Sequence, residues 1–439
     1  MQKTFRFHSG QRAPGEKCGP RGARFFLVVL GCLLGVWAQP ASSGPLRVGT
    51  SGDYAPFSVF QGAEGSERYQ GLSPSLARAF AQHRGVEIEF VPFRWPDLLK
   101  DLASGRFDVA MSGITIRPER SLAGRFSLPI TTSGAVILVP DASPFVAMRE
   151  LDEETFTIAV NAGGHLERVT RKHFGQARIL PMQENADVIR ALAQGDVDAA
   201  ITDTREATVW QRQHPGLRAI GPFTRDRKAF LVRADNPELA RELDAWLLET
   251  ELDGSLEALR TRELGKSPHP TVATQPLRAL LAAVDERLAL MPFVAEAKRS
   301  TGGPIEVPDV ETRVLADAIA RFRAAQAQNP AAPIREETLI LDFYRAQIEA
   351  AKSIQSQILA IPSAQSKEAV PDLAGELRPA LLRINDRIAT LLVALPEGID
   401  QSEVTTATEE ELISTHLPPR YQAAIAQALI ALTAPPNSP

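Results

Sequence analysis

The sequence predicts a two-lobed α/β domain followed by an all-helical domain, and three observations carry that reading. Eighteen of the 29 glycines lie in residues 45–270, while 271–439 hold only Gly302, Gly303, Gly375 and Gly398. Glycine-rich turns suit alternating strands and helices, and their scarcity suits long helices. From Leu46 onward, short apolar runs alternate with amphipathic stretches, the order expected of βαβ units. Beyond Pro276 the apolar period is helical: Leu277, Leu280, Leu281, Val284 and Leu288 form one stripe, and Leu377, Leu381, Ile384, Ile388, Leu391 and Leu395 another. With 44% apolar and 23% charged residues the chain has a globular composition.

The amino terminus, residues 1–44, reads as a signal peptide. A basic region ending at Arg24 precedes the apolar run FFLVVLGCLLGVW and then the small and polar residues Ala38 to Gly44. That run is short for a membrane span, so no stable span is expected after cleavage. Cys32 raises a lipoprotein alternative, because Val29-Leu30-Gly31-Cys32 faintly resembles a lipobox. Both cysteines, Cys18 and Cys32, fall in this segment, which fits a periplasmic protein that needs no disulfide. Without the segment, 42 basic residues face 52 acidic ones. Such a body is a poor nucleic-acid binder, since phosphate contacts need basic surface. The sequence has no C-x-x-C, H-E-x-x-H or G-x-x-x-x-G-K motif, so neither metal nor cofactor is expected.

In the α/β part (45–265), a strand over Leu46–Gly49 leads into a turn-rich mouth, GDYAPFS at 52–58. An amphipathic helix (Leu76, Ala79, Phe80), a strand (Val86–Phe90), a second helix (Leu98, Leu99, Leu102) and a third strand (Phe107–Met111) follow. That strand ends in Ser112-Gly113-Ile114-Thr115, with Arg120 just beyond. In open α/β sheets ligands sit at the carboxyl ends of strands. Ser112, Thr115 and the planar fork of Arg120 are therefore placed to hold a carboxylate. Tyr54 and Trp95 are candidate walls for a ring. Gly163-Gly164 allows close backbone approach to a second carboxylate. Two segments, Gly134–Pro140 and Gly221–Val232, are expected to cross between lobes, leaving residues 141–220 as a second lobe on a hinge. Closure of that hinge excludes water from the cleft.

Residues 266–276 have the Pro and Ser/Thr content of a linker. The helical domain is expected over 277–432, with one long helix over Glu336–Ala360 stopped at Ile361-Pro362, and a frayed tail over 433–439.

On these residues the first domain resembles the periplasmic amino-acid-binding proteins, in which the Arg of a T-x-x-x-x-R pattern, here Thr115 to Arg120, holds the ligand carboxylate. It resembles still more the cyclohexadienyl dehydratases, an enzymatic branch acting on prephenate and arogenate. The resembling elements are GDYAPFS, WPDLL (95–99), RFDVAMSGITI (106–116), AVNAGG (159–164) and TDTREA (202–207), within residues 46–264. The resemblance implies that Asp203 meets a ligand ammonium and that Glu206 is the acid that protonates a departing ring hydroxyl. Such an acid needs a raised pKa, which a closed, desolvated cleft supplies. One departure counts against amino-group recognition: relatives carry an acidic residue after Gly71, where this chain reads Leu72-Ser73-Pro74-Ser75.

The helical part resembles the secreted, gamma-type chorismate mutases. Arg287 lies in VDERL, Lys298 in VAEAK, Gln355 in AAKSIQ and Arg378 in ELRPALLRINDR, with PIE at 304–306 and VLADAIA at 314–320. The resemblance implies that Arg287 and Arg378 hold substrate carboxylates, while Lys298 and Gln355 hydrogen-bond the ether oxygen that gains charge in the transition state. Where the family has an Asp and a clamping Arg, this chain has Val307 and Val310. An active mutase and a bundle with a weakened site both remain open. The combined expectation is a secreted enzyme turning chorismate through prephenate into phenylpyruvate, with arogenate, giving phenylalanine, a further candidate substrate. The rival is a transporter's solute-binding protein with a helical interaction module. The sequence leaves the oligomeric state open.

Overall fold

The computed structural model describes residues 44–62, 68–265, 275–362, 370–413 and 417–435. The expected targeting segment up to Ser43, linker residues 266–274 and tail residues 436–439 lie outside them. The fold class is the one expected: a two-lobed α/β unit followed by helices.

In lobe 1, strand Leu46–Thr50 lies between Ile88–Pro92 and Val109–Thr115, both parallel to it. Strand Asp226–Arg233 adds antiparallel to Val109–Thr115 and also pairs with Gly124–Phe126 and Thr131–Ser133. Two strands begin two residues later than the sequence suggested. Phe107 is spent as a plug: its ring fills the space over Gly49, where an added Cβ would meet it at 2.7 Å. The polar run is the second half of a strand buried at every position. It tolerates burial because its polar groups find partners. Ser112 Oγ accepts from Ser51 N (3.0 Å), and Gly113 N donates to Ser73 Oγ (3.1 Å).

Lobe 2 is a five-stranded sheet centred on Thr157–Asn161 and Ala199–Asp203, which run parallel. The two expected crossing segments are themselves strands: Ala135–Pro140 joins the lobe 2 sheet and Asp226–Arg233 the lobe 1 sheet. Two apolar clusters, around Ile158 and Val160 on one face and Val188 and Trp210 on the other, make this lobe's core.

The remaining helices are Gln275–Ala289, Met291–Thr301, Pro308–Gln328, Glu337–Ala360, Arg378–Ala394, Gln401–Glu411 and Pro419–Thr433. Gln275 and Pro276 thus belong to the first helix rather than the linker, and Thr433 to the last helix rather than the tail. Five of these helices carry Pro in the first turn, where its missing N–H costs nothing. One continuous apolar core runs from lobe 1 (Phe80, Leu243, Trp246) into the bundle (Leu277, Leu281, Ile388). Among the described residues no helix is long and apolar enough to cross a membrane.

Candidate active sites

The two lobes face each other across a narrow cleft lined by Tyr54, Trp95, Thr115, Arg120, Glu206 and Lys228, among others. They are tied together at its floor. The Tyr54 hydroxyl donates to Asp203 Oδ2, and Lys228 Nζ donates to the Tyr54 oxygen (2.8 Å) and to Thr115 Oγ1 (3.0 Å). Lys228 Nζ also stands 3.2 Å from Asp203 Oδ2. Asn185 Nδ2 donates to the Asp53 carbonyl (3.0 Å) from the opposite lobe. Burial, then the nearby Asp203 and Glu206 charges, push the Tyr54 hydroxyl well up, so it stays a donor.

Arg120 projects from the short helix Pro118–Ala123 and is almost fully buried. Its Nη1 donates to the Thr115 carbonyl (2.9 Å), and its guanidinium lies 5.9 Å from the Trp95 ring centroid. No carboxylate among the described residues pairs with it. Burial, and then repulsion from Arg117, pulls its pKa well down. A buried cation in that state is answered by an incoming anion. Trp95 donates from Nε1 to Asp53 Oδ1 (3.2 Å) and stands edge-on to Tyr54, which fixes it as a wall.

Three candidates are placed differently. Ser112 does not line the cleft; its hydroxyl is engaged with Ser51 Oγ (2.9 Å) and Ser51 N. The Gly163 N–H is taken by Glu167 Oε2 (2.7 Å), and the residue's φ of 72° serves a turn against Pro96. Gly164 does line the cleft, just before helix His165–His173. Asp203 is fully buried and saturated: Oδ1 caps the next helix through the N–H groups of Arg205 (2.9 Å) and Glu206 (3.0 Å), and Oδ2 faces Tyr54 and Lys228. It has no valence left for a ligand ammonium.

Glu206 sits in the first turn of helix Thr204–Gln213, with its carboxyl against the cleft. Asn185 Nδ2 donates to Oε1 (2.6 Å) and Thr202 Oγ1 to Oε2 (2.6 Å). Burial drives its pKa well above the usual carboxylate range; the Thr202 and Asn185 bonds pull the other way, and the Asp203 and Asp53 charges add to the rise. A buried, neutral carboxyl lining a cleft is a proton donor.

Sequence reasoning missed four polar lining residues, Lys228, His165, Asn161 and Asn185. Asn161 and His165 lie within or beside AVNAGG, so that motif held the signal. Lys228 is the second cation of the cleft, and its one hint was the charged run Asp226-Arg227-Lys228 leading straight into the apolar Ala229–Val232. His165 Nε2 stands 2.9 Å from Asp226 Oδ1. Burial lowers its pKa against the pull of Asp226, which favours the neutral ring.

In the bundle, helix Gln275–Ala289 packs against Glu337–Ala360 and Arg378–Ala394. Arg287 is buried, and its Nε and Nη1 have no partner among the described residues. Burial lowers its pKa, and the Tyr344 hydroxyl opposes that fall. The Gln355 Oε1, Gln347 Oε1 and Tyr344 hydroxyl atoms are also buried without partners. Lys298 is half-buried and donates to the Ile305 carbonyl (3.0 Å); burial, and the like charge of Arg378, lower its pKa against the pull of Glu311. Arg378 itself is exposed at the start of its helix. Arg313 does not replace the missing clamp, since it points outward and bonds the Asp309 carbonyl (3.2 Å).

Residues 46–266 match the bacterial extracellular solute-binding proteins, family 3, and residues 278–356 match chorismate mutase type II. The cyclohexadienyl dehydratase of Pseudomonas aeruginosa is 36% identical over 219 residues, which cover 49% of this chain and 80% of that protein. The L-cystine-binding protein TcyJ of Escherichia coli is 29% identical, over 51% of this chain and 83% of that protein. Among solved structures, the ancestral amino acid-binding protein AncCDT-1, described as a precursor of cyclohexadienyl dehydratase, is similar. It has 32% identity and a TM-score of 0.48, over 50% of this chain and 96% of that one.

Proposed function

Because the chain belongs to the bacterial extracellular solute-binding proteins, family 3, and carries a chorismate mutase type II segment behind that domain, we propose that it is a bifunctional enzyme. In this reading the bundle converts chorismate to prephenate and the cleft converts prephenate to phenylpyruvate. The observation that carries the second step is Glu206, a buried carboxyl kept neutral beside a cleft whose other ionisable lining groups are Arg120, Lys228, Tyr54 and His165.

The chemistry follows from those groups. Arg120 and the Thr115 hydroxyl, whose oxygen already accepts from Lys228, hold one substrate carboxylate. The ring carboxylate leaves as carbon dioxide and its bonding electrons enter the ring. The ring hydroxyl leaves on the opposite side with the Glu206 proton, as water. An aromatic product results, and Glu206 is reprotonated from solvent when the lobes open. Tyr54 and Trp95 flank the ring.

The same electrostatics separate the rivals. An amino acid, or arogenate, brings an ammonium group, and the carboxylate expected to meet it, Asp203, is consumed by Lys228, Tyr54 and its helix cap. Prephenate brings two carboxylates and no ammonium, so it asks for no free carboxylate and offers an anion to the unpaired Arg120. This favours prephenate over arogenate and a dehydratase over an amino-acid receptor. In the bundle, Arg287 and Arg378 hold the carboxylates of chorismate, with Lys298 and Gln355 at the ether oxygen and a slower mutase for want of a cation at Val310. The extracellular character of the family supports an extracytoplasmic enzyme exported by the segment 1–44.

The deciding experiment gives the purified chain prephenate and arogenate separately and follows phenylpyruvate and phenylalanine. Turnover of prephenate well above that of arogenate is expected. Tight binding of an amino acid without turnover of either compound would overturn the reading in favour of a receptor.

A further inference from the structure

Helix Gln275–Ala289 carries three consecutive charged residues, Asp285, Glu286 and Arg287, that are only 1%, 3% and 6% exposed. A helix buried around its whole circumference lies between two bodies, and here the bodies are lobe 1 and the rest of the bundle. Arg287 turns into the bundle, whereas Asp285 and Glu286 turn to lobe 1.

Their partners on lobe 1 are sequence neighbours of the two cleft cations. Asp285 Oδ2 pairs with Arg227 Nη1 at 2.7 Å, and Glu411 Oε2 takes the same guanidinium at 2.9 Å. Arg227 and Lys228 are adjacent in a strand, so their side chains leave opposite faces of the sheet. One points to the bundle and the other into the cleft. Glu286 Oε1 accepts from Ser121 Oγ at 2.8 Å, and Ser121 follows Arg120. The short helix that carries Arg120 is held at its carboxyl end too. Arg383 Nη2 donates to the carbonyls of Ser121 (3.0 Å) and Leu122 (2.8 Å). Arg387 pairs with Glu286 and donates to the Phe126 carbonyl at 2.5 Å. Cations at those orphan carbonyls are favourable.

Affinity between the domains does not explain such pairs. Replacing a buried ion pair by apolar residues of similar volume is often neutral or stabilising. What fully paired, directional groups supply is a fixed register of one body on the other.

We propose that the bundle is a working part of the cleft, with Asp285 and Glu286 as positioning residues that hold Lys228 and Arg120 from behind. The proposal rests on the dehydratase reading above. Displacing a binding group by 1 Å can cost about a hundredfold, so a loosened anchor has a measurable effect.

The test is steady-state dehydration of prephenate by the full chain, with folded fraction followed by circular dichroism. Glu286→Gln should raise KM about tenfold with little change in kcat, because Arg120 grips substrate in the ground state. Asp285→Asn should lower kcat about tenfold per folded molecule, and Asp285→Glu, which keeps the charge on Arg227, should restore most of it. A purely structural role would lower kcat in proportion to the folded fraction and leave both KM values alone, which would overturn the proposal. If Glu286→Gln does not fold, Ser121→Ala removes one bond to the same carboxylate and should raise KM about threefold. An unchanged KM there would likewise refute it. A wild-type chain that turns over no prephenate removes the dehydratase reading and this proposal together; wild-type turnover with unshifted variants removes this proposal alone.

Discussion

Replacing Glu206 by Gln should separate binding from chemistry. The two side chains are nearly isosteric, and the surroundings accept either. Asn185 Nδ2 still finds a carbonyl oxygen at the Oε1 position, and the Thr202 hydroxyl, which now donates to Oε2 at 2.6 Å, can rotate to accept from an amide N–H instead. No buried polar group is orphaned, so stability below the unfolded carboxyl pKa, where both states are protonated, should change by no more than about 1 kcal/mol. The lost property is the proton. Removing a general acid costs about 10²–10⁴ in rate, which is about 3–5 kcal/mol of barrier. Stability adds a signature. The folded-state pKa of Glu206 is raised, so its contribution is fully present below the unfolded carboxyl pKa and is lost as pH rises through the folded value. The Gln variant lacks that loss, and its melting temperature should exceed wild type increasingly toward alkaline pH. Phenylpyruvate formation measures the first effect, calorimetric titration with prephenate the binding, and scanning calorimetry across pH the third. Wild-type turnover by Glu206→Gln would refute the assignment of the acid.

Arg120→Lys should weaken prephenate binding about tenfold, since a point charge replaces a bidentate fork; calorimetry on the Glu206→Gln background checks this, and unchanged affinity places the carboxylate elsewhere. Arg287→Met should abolish chorismate conversion while raising stability by about 1 kcal/mol, because it removes a buried cation without a carboxylate partner among the described residues. A fall in melting temperature would contradict that. Val310→Arg combined with Val307→Asp should increase mutase turnover, read as chorismate loss; no gain means that the cation set is complete without it. Asp244, half-buried between Leu128 and Arg387, has its pKa raised from 3.8 to about 7 by burial, although the Arg387 charge and the Leu128 N–H (2.7 Å) oppose the rise. Its stabilising contribution is therefore present in full below about pH 4 and lost as pH passes through about 7. Melting temperature should fall between about pH 4 and 7, and less steeply in Asp244→Asn.

The parts of the site legible in the sequence are those written in local order. Arg120 follows Thr115 at a fixed spacing, and Glu206 sits one helical turn from Asp203, so a reader of motifs meets both. Tyr54 and Trp95 lie in short turn-rich or Pro-marked segments that end strands. Lys228 is different: it comes from a strand more than a hundred residues after Thr115, and only antiparallel pairing across lobe 1 brings its amine to the cleft. Asp285 and Glu286 show the same limit more sharply. In sequence they read as ordinary solvated helix charges, and their burial depends on docking against lobe 1, which no local pattern encodes. Ser112 errs in the other direction. Its place at a strand's polar end suggested a ligand contact, but at this depth a hydroxyl must find a partner and Ser51 is nearer than the cleft. Asp203 serves as an N-cap where the motif suggested a ligand anchor, and spacing cannot separate the two, which look alike in TDTREA.

The apolar core shared by lobe 1 and the bundle bears on how the chain can be dissected. The wall around Leu128, Leu247 and Leu248 faces Ala279 of the first bundle helix, so it is sealed by the sequence that follows it. A truncated chain ending at Gly265 would bare that wall to water, and exposed apolar patches of this kind drive association. The first domain should then be poorly soluble without its follower. The two halves are consequently not interchangeable cassettes. Grafting either onto a foreign partner requires redesign of the seam, and any natural shuffling of such a pair would have to carry the seam with it.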